Sequence, residues 1–140
     1  MARLMRRIRR ADHAMISQLT FEQVRWWLDS YIAAWRSYQP DEIAALFTED
    51  VRYEPEPYHE LAGREAVVQA WLDDQDPLGS WEALYEPIAI DGWLAVATGT
   101  SRYHGADDEA DTVFHNMFLL EFDPDGRGRH YREWYMQEPA

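Results

Sequence analysis

The sequence predicts an α+β fold, in which three N-terminal helices pack on a strongly curved, mostly antiparallel sheet that forms a cone around an internal pocket. Helical periodicity occurs early in the chain, whereas the later part alternates apolar and polar residues between turn signals. One turn signal, Asp123-Pro124-Asp125-Gly126, separates two apolar, aromatic-rich runs near the end of the chain. Strands joined by hairpins pair antiparallel. Helices that are gathered before such strands in the chain are expected to pack on one face of the sheet.

Composition favours one acidic domain. The chain has 140 residues, no cysteine, no lysine and 26 acidic residues against 13 arginines, which gives a net charge of −13. Five arginines lie in the first ten residues, so residues 11–140 carry 8 basic and 26 acidic residues, a net charge of −18. A domain with this negative charge repels the phosphate backbone of nucleic acids, so we expect no nucleic-acid partner. Without cysteine or a long apolar run, we expect a cytoplasmic protein that does not enter membranes.

The arginines near the start define a predicted boundary. Residues 1–19 are interpreted as a basic N-terminal extension, and residues 20–140 as one folded domain. The arginines are not followed by a continuous apolar stretch, so the extension does not have the pattern of a secretory signal. Nothing else in the chain resembles a linker or an internal repeat.

The first helix has the strongest periodicity in the chain. Thr20 and Gln23 have the spacing of a capping box, which marks a helix start. Tyr31 lies in the middle of the apolar face that follows, so its hydroxyl needs a partner if it is buried. The residues of this face recur at helical spacing: Val24, Trp27, Leu28, Tyr31, Ile32 and Trp35.

Two further helices and one strand are predicted before residue 80. Pro40 opens a short helix whose apolar stripe is Ile43, Leu46 and Phe47. Val51–Glu56 is predicted as a short strand that Pro55 and Pro57 confine to a sheet edge or to a bulge, with a loop at residues 58–60. Gly63 precedes the third helix, and an acidic loop spans residues 73–80. The predicted inner stripe of the third helix is Ala66, Val67, Ala70 and Trp71.

Four strands joined by hairpins complete the chain. Residues 81–90 and 93–104 flank an Asp91-Gly92 turn, and the last two strands flank the turn that ends at Gly126. On these last two strands the period of two places Asn116 and Glu133 on aromatic faces, where they would look into apolar space. The faces are Phe114, Asn116, Phe118, Leu120 and Phe122 on one strand, and Tyr131, Glu133 and Tyr135 on the other.

Three segments carry a resemblance to a known family: YIAAW followed by PDEIAALFTEDVRYEPEP, then GREAVVQAW, then FHNMFLLEFDPDGRGRHYREWY. The chain from about Thr20 to Pro139 resembles the nuclear transport factor 2-like superfamily, and within it the SnoaL-like and ketosteroid-isomerase-like groups. The resemblance implies the cone-shaped α+β fold. It implies function only broadly, because this superfamily includes isomerases, dehydratases, epoxide hydrolases, polyketide cyclases and binding modules.

The functional residues of these groups match this chain in part. Tyr31 lies where the resembled steroid isomerases place the tyrosine that binds the developing enolate. Their aspartate base and their second, protonated aspartate fall at Pro55 and Phe118, so steroid isomerase chemistry in its known form is not expected. Glu133 matches an aspartate of the limonene-type epoxide hydrolases, whose arginine lies near Arg102, but no acid stands beside Arg102 to complete the set.

Glu133 is the predicted general base. Burial in an aromatic pocket disfavours its charged form and raises its pKa toward the range that is useful for proton transfer. Tyr31 and Asn116 are predicted to donate hydrogen bonds to an oxygen on which negative charge develops. A structural ion pair of Glu133 with Arg102, Arg129 or Arg132 is the alternative. The other predicted pocket walls are Trp27, Trp35, Tyr53, Trp71, Phe114, Phe118 and Tyr131.

The predicted function is that of a small-molecule pocket protein. It would be a cofactor-free acid/base enzyme of the isomerase, dehydratase, cyclase or epoxide-hydrolase type, acting on a small apolar or aromatic ligand. The alternative is a non-catalytic ligand-binding or dimerisation module. The five histidines do not have the spacing of a metal site, so no metal and no cofactor are expected. A homodimer is expected through the outer sheet face: Val113, Met117, Leu119, Trp134 and Met136.

Overall fold

The computed structural model describes residues 18–140. The predicted basic extension lies outside these residues except for Gln18 and Leu19. Leu19 is only 6% exposed and belongs to the core, so the folded domain includes at least one residue before the predicted boundary. Leu19 directly precedes the helix cap, the position from which an apolar residue fixes the entry of the chain into a helix.

Three helices, named α1 to α3, cover one face of the sheet, as predicted. Helix α1 spans Phe21–Ser37, α2 spans Pro40–Ala44 and α3 spans Arg64–Asp73. The Thr20–Gln23 capping box is present in full, because each side chain accepts a hydrogen bond from the other residue's backbone N–H. Among residues 18–140 no helix is both long enough and apolar enough to cross a membrane.

The six strands form one curved sheet in the order β2-β1-β6-β5-β4-β3. Only the pairing of β1 with β6 is parallel; the other four pairings within the described chain are antiparallel. The sheet is not closed into a barrel, since β2 and β3 form its two edges. The strands are β1 Phe47–Glu56, β2 His59–Ala62, β3 Trp81–Asp91, β4 Leu94–Tyr103, β5 Thr112–Phe122 and β6 Gly128–Gln137.

Strand β1 begins earlier than predicted. The helical spacing assigns Phe47 to the stripe of α2, but this residue starts β1 and pairs with Gly128 of β6. The carbonyl of Leu46 accepts hydrogen bonds from the Gly128 backbone N–H at 2.8 Å and from the Trp27 indole at 2.9 Å. These long-range bonds outweigh the local helical pattern at residues 46–47 and draw the chain into the sheet.

Two other local predictions were wrong. His59 and Glu60, predicted to lie in a loop, belong to β2, because Tyr58 at φ 65° turns the chain back onto β1. Ala66, predicted on the inner stripe of α3, is exposed, and Val67 is the fully buried residue of this helix. The other predicted residues of this stripe, Val67, Ala70 and Trp71, are buried or partly buried, so the stripe begins one residue later than predicted.

Candidate functional site

The site lies on the inner face of β6 and β5, beneath α1. Glu133 pairs with Phe118 across the two strands, and Asn116 pairs with Tyr135, so the side chains of Glu133 and Asn116 are neighbours on the concave face. This is the face that the period of two predicted for both residues. Asn116 is buried, and Glu133 is partly buried at the edge of a cavity.

Both carboxylate oxygens of Glu133 accept a hydrogen bond. The Tyr131 hydroxyl donates to Oε1 at 2.6 Å, and the Asn116 amide donates to Oε2 at 2.8 Å. The Tyr31 hydroxyl lies 3.1 Å from that of Tyr131. Because the hydrogen of Tyr131 is directed to Glu133, Tyr31 must be the donor in this pair. One relay therefore runs from Tyr31 through Tyr131 to the carboxylate.

A second relay reaches the carboxylate through Asn116. The Ser101 hydroxyl donates to the Asn116 side-chain carbonyl at 2.9 Å, and the Tyr85 hydroxyl is hydrogen-bonded to Ser101. Since Ser101 uses its hydrogen on Asn116, Tyr85 donates to Ser101. Each member of the two relays donates toward Glu133, so the arrangement orients the carboxylate without supplying a positive charge.

Gly99 makes the second relay possible. It lies on β4 opposite Tyr85 of β3 and Asn116 of β5. A Cβ atom at position 99 would lie 2.7 Å from the Tyr85 ring and 1.9 Å from the Leu84 carbonyl oxygen. The missing side chain therefore lets the Tyr85 ring lie against β4 and reach Ser101.

Burial raises the pKa of Glu133 from its ordinary value near 4.5 to about 7. The hydrogen bonds from Tyr131 and Asn116 stabilise the carboxylate and act in the opposite direction, but they are outweighed by the loss of hydration. A carboxyl group with this pKa is part protonated and part ionised at neutral pH. It can accept a proton in one step and return it in the next.

The structural ion pair considered for Glu133 is absent among the described residues. Arg102 pairs with Asp111 and Glu82, and Arg129 pairs with Glu121 and Asp123. Arg132 directly precedes Glu133 on β6, so the pleat directs its side chain to the opposite face of the sheet. The alternative interpretation of Glu133 as a member of a structural ion pair with one of these three arginines is therefore wrong.

A cavity of about 640 Å³ opens above Glu133. It adjoins a smaller cavity of about 260 Å³ beside α3, which is lined by Trp71 and Tyr38 and shares Tyr31, Trp35 and Tyr53 with the first. The larger cavity has mainly aromatic walls: Tyr31, Trp35, Tyr53, Tyr85, Tyr103, Phe114 and Tyr135. Its polar lining groups include Ser101, Asn116, Glu133, Glu56, Asp74 and His59.

The structure divides the predicted pocket walls into two groups. Those that line a cavity are Tyr31, Trp35, Tyr53, Trp71 and Phe114. Trp27, Phe118 and Tyr131 line neither of these cavities and are each at most 2% exposed. The indole of Trp27 points away from the site, because it donates to the Leu46 carbonyl. Tyr131 acts on the site only through its hydroxyl.

Sequence reasoning missed Tyr85, Ser101 and Tyr103. All three line the cavity, on β3 and β4. The Asp91-Gly92 turn alone is not a sufficient signal, because the register it sets would pair Tyr85 with Thr100. A register shift between Pro87 and Ala89 brings Tyr85 and Ser101 onto the same inward face. The distance between Asn116 and Ser101 depends on the pairing of β4 with β5. No turn in the sequence specifies this pairing, because a longer loop connects Tyr103 to Thr112.

Comparison with known proteins supports the fold. A family model described as a SnoaL-like domain matches residues 28–131. No curated protein sequence matches this chain. An LEH-like epoxide hydrolase of M. tuberculosis is 17% identical, with a TM-score of 0.61 over 83% of this chain and 84% of that one. A putative ketosteroid isomerase from Kribbella flavida is 22% identical, with a TM-score of 0.59 over 86% of this chain and 82% of that one.

A third similar structure has no assigned function. The NTF-2 like protein of Burkholderia xenovorans is 16% identical to this chain, with a TM-score of 0.63 over 85% of this chain and 86% of that one. At these identities the structural similarity establishes a shared architecture. It does not transfer an activity, because one fold hosts many chemistries.

Proposed function

Because the chain belongs to the SnoaL-like family, whose model matches residues 28–131, we propose that it is an acid/base enzyme that needs no cofactor and acts on a small apolar or aromatic molecule. The observation that carries this proposal is Glu133: a carboxyl group at the base of an aromatic cavity, held by two neutral donors and by no arginine of the described chain. The reaction is an isomerisation, dehydration, cyclisation or epoxide opening, each of which needs a placed proton acceptor.

In this proposal the predicted catalytic residues have separate roles. Each oxygen of Glu133 accepts one hydrogen bond and keeps a second lone pair for a substrate C–H or for a water molecule. Asn116 uses one amide hydrogen on Glu133 and keeps the other for a substrate oxygen on which charge develops. Tyr31 was predicted as a second such donor, but its hydrogen is directed to Tyr131. Tyr31 is therefore a positioning residue in this proposal.

The test of this proposal begins with the titration of Glu133, which needs no substrate. In the unliganded protein we expect the carboxyl of Glu133 to titrate with a midpoint at a pKa of about 7, measured by ¹³C NMR with the Glu133→Gln variant for assignment. Proton abstraction is then measured as deuterium incorporation from solvent into small ketones and as hydrolysis of small epoxides. A midpoint below about 5, close to the ordinary glutamate value, together with no reaction in either assay would leave the non-catalytic binding module as the function.

The same carboxyl group makes stability depend on pH. Between its ordinary pKa of 4.5 and its folded-state pKa of about 7, the folded protein holds a proton that the unfolded chain has released. Stability therefore falls as pH rises through this window, by up to about 3 kcal/mol from this group. The free energy of unfolding is measured with urea at about pH 5 and about pH 8, on either side of the folded-state pKa. We expect it to fall between these two pH values by more in the wild type than in Glu133→Gln. Equal pH dependence of the two proteins would contradict the raised pKa.

We propose further that two copies of the chain pair through the outer face of the sheet. Met117 and Trp134 lie opposite each other on β5 and β6, 42% and 37% exposed, and Met136 is 76% exposed. Leu119 extends this apolar strip along β5, whereas Val113, predicted for the same surface, is only 9% exposed and adds little to it. A strip of this kind on a monomer is costly to leave against water, and a self-complementary sheet face suits two-fold pairing.

Dimerisation is tested with one variant on the strip. Met117→Glu is expected to convert the wild-type dimer into a monomer in sedimentation velocity at micromolar concentration, because it places a charge at the centre of the apolar face. Leu78→Glu is the matched control, since Leu78 is 85% exposed in the loop between α3 and β3. A wild type that sediments as a monomer would exclude this interface.

A further inference from the structure

The cavity is negatively charged, apart from one histidine. Glu56, Asp74 and Glu133 line it, and Asp76 lines the adjoining cavity. No arginine of the described chain lines either one, and the sequence has no lysine. His59 is the one basic side chain among the lining residues of the two cavities, and its Nδ1 lies 3.6 Å from the Glu56 carboxylate. A pocket that bound a carboxylate or a phosphate would be expected to present arginine or a cluster of backbone donors.

Two of these carboxylates lie at the rim. Glu56 is the last residue of β1 and accepts a hydrogen bond from the Tyr135 hydroxyl at 2.9 Å. Asp74 is the residue at the C-terminal cap of α3, which has no basic residue in its last turn. A helix C-terminus already carries partial negative charge, so an aspartate there adds to an unfavourable potential that a cation would relieve.

The walls next to the rim are aromatic faces and edges. Phe114 lies with its ring centroid 5.5 Å from that of Tyr135 and 5.8 Å from that of Tyr103, in edge-to-face contacts. All three rings line the same cavity as Glu56 and Asp74. Aromatic rings attract cations through their negative faces, most strongly where water is excluded.

The pKa values of the cavity tyrosines are raised first by burial and then by the same carboxylates. Burial raises the pKa of Tyr103, and the charges of Asp76 and Glu133 raise it further. Burial and the charge of Glu133 likewise raise the pKa of Tyr53. A second negative charge is thus disfavoured at several points of the wall, and an anionic ligand would meet the same repulsion.

From the lining carboxylates and the aromatic walls we infer that the ligand is a small aromatic or apolar molecule that carries a protonated or quaternary amine. Its cation lies at the rim, between Glu56, Asp74 and the neighbouring rings, and its reacting part lies over Glu133. The inference rests on the proposed function and specifies its substrate class. The cation is placed at the rim because an ammonium in contact with Glu133 would hold that carboxylate ionised and weaken it as a base.

Three probes of nearly equal shape test the charge preference: 3-phenylpropylammonium, 3-phenylpropanol and 3-phenylpropanoate. Binding is followed at neutral pH by NMR shifts of the tryptophan indole N–H groups. We expect the ammonium to bind about tenfold more tightly than the alcohol, as two partly solvated charge contacts allow, and the carboxylate to bind most weakly. The preference should shrink between about 10 mM and about 150 mM salt, because the Debye length falls from about 30 Å to about 8 Å.

Variants of the two rim carboxylates test where the ammonium group of the probe binds. Glu56→Gln with Asp74→Asn is expected to remove most of the ammonium preference and to leave the alcohol affinity unchanged. Glu86→Gln is the matched control, since Glu86 is exposed on the outer face of β3. Equal binding of the ammonium and the alcohol, binding of none of the probes, or a preference that only Glu133→Gln removes would overturn the inference. The titration of Glu133 without ligand then shows whether the proposed function still stands.

Discussion

Replacement of Glu133 by glutamine is expected to lower turnover by about 10²–10⁴-fold, the typical contribution of a general base. Glutamine keeps the shape of the side chain and its contact with Tyr131 or Asn116, but it cannot accept a proton at neutral pH. The affinity for a ligand should change far less, because the aromatic walls remain. Turnover and KM of the wild type and the variant are compared on whichever ketone or epoxide the deuterium and hydrolysis assays identify.

The comparison needs a carboxylate that is not in the cavity. Glu86→Gln removes the same charge from the outer face of β3 and is expected to retain full activity. A wild-type pH–rate profile that rises with an apparent pKa of about 7 and becomes flat in Glu133→Gln would identify Glu133 as the base. Full activity of Glu133→Gln would exclude that role and require a different proton acceptor.

Truncation of Trp27 to alanine is expected to lower the free energy of unfolding by about 3–5 kcal/mol, the usual cost of removing a large buried aromatic side chain. The indole is 2% exposed and packs against Tyr31, Phe47 and Phe122. Its N–H also donates to the Leu46 carbonyl, which loses this partner in the variant. Chemical denaturation at neutral pH measures the change.

The adjacent residue of α1 provides the control. Trp26 is 69% exposed, so Trp26→Ala should change stability by less than about 0.5 kcal/mol. Comparison of these two variants also shows whether Trp27 is a core residue or a pocket wall. If the Trp27→Ala protein is as stable as the wild type but binds an aromatic ligand more weakly, Trp27 is a pocket wall, as the sequence predicted. Its packing in the core would then contribute little to stability.

The local sequence pattern was sufficient to predict a helix or a hairpin wherever residues close in the sequence stabilise it. The capping box at Thr20 and the apolar spacing of α1 specify that helix, and the turn that contains Gly126 specifies the hairpin of β5 and β6. Within each of these two strands, the period of two placed Asn116 and Glu133 on an aromatic face, and the structure brings both faces to the inside of the sheet. Strand β2 could not be predicted in this way, because its four residues form a strand only through pairing with β1.

The chemistry of Glu133 was decided by the tertiary structure. The sequence nominated this carboxyl group together with Tyr31, but it left open an ion pair with an arginine, since surface pairing depends on side-chain reach. Tyr31 and Tyr131 are 100 positions apart, and they meet only because α1 crosses the concave face of the curved sheet. The folded chain buries Glu133 on this face, and the loss of hydration raises its pKa to about 7. Residue type and spacing therefore identified the candidate proton acceptor, whereas burial in the folded chain set the pKa that the proposed role needs.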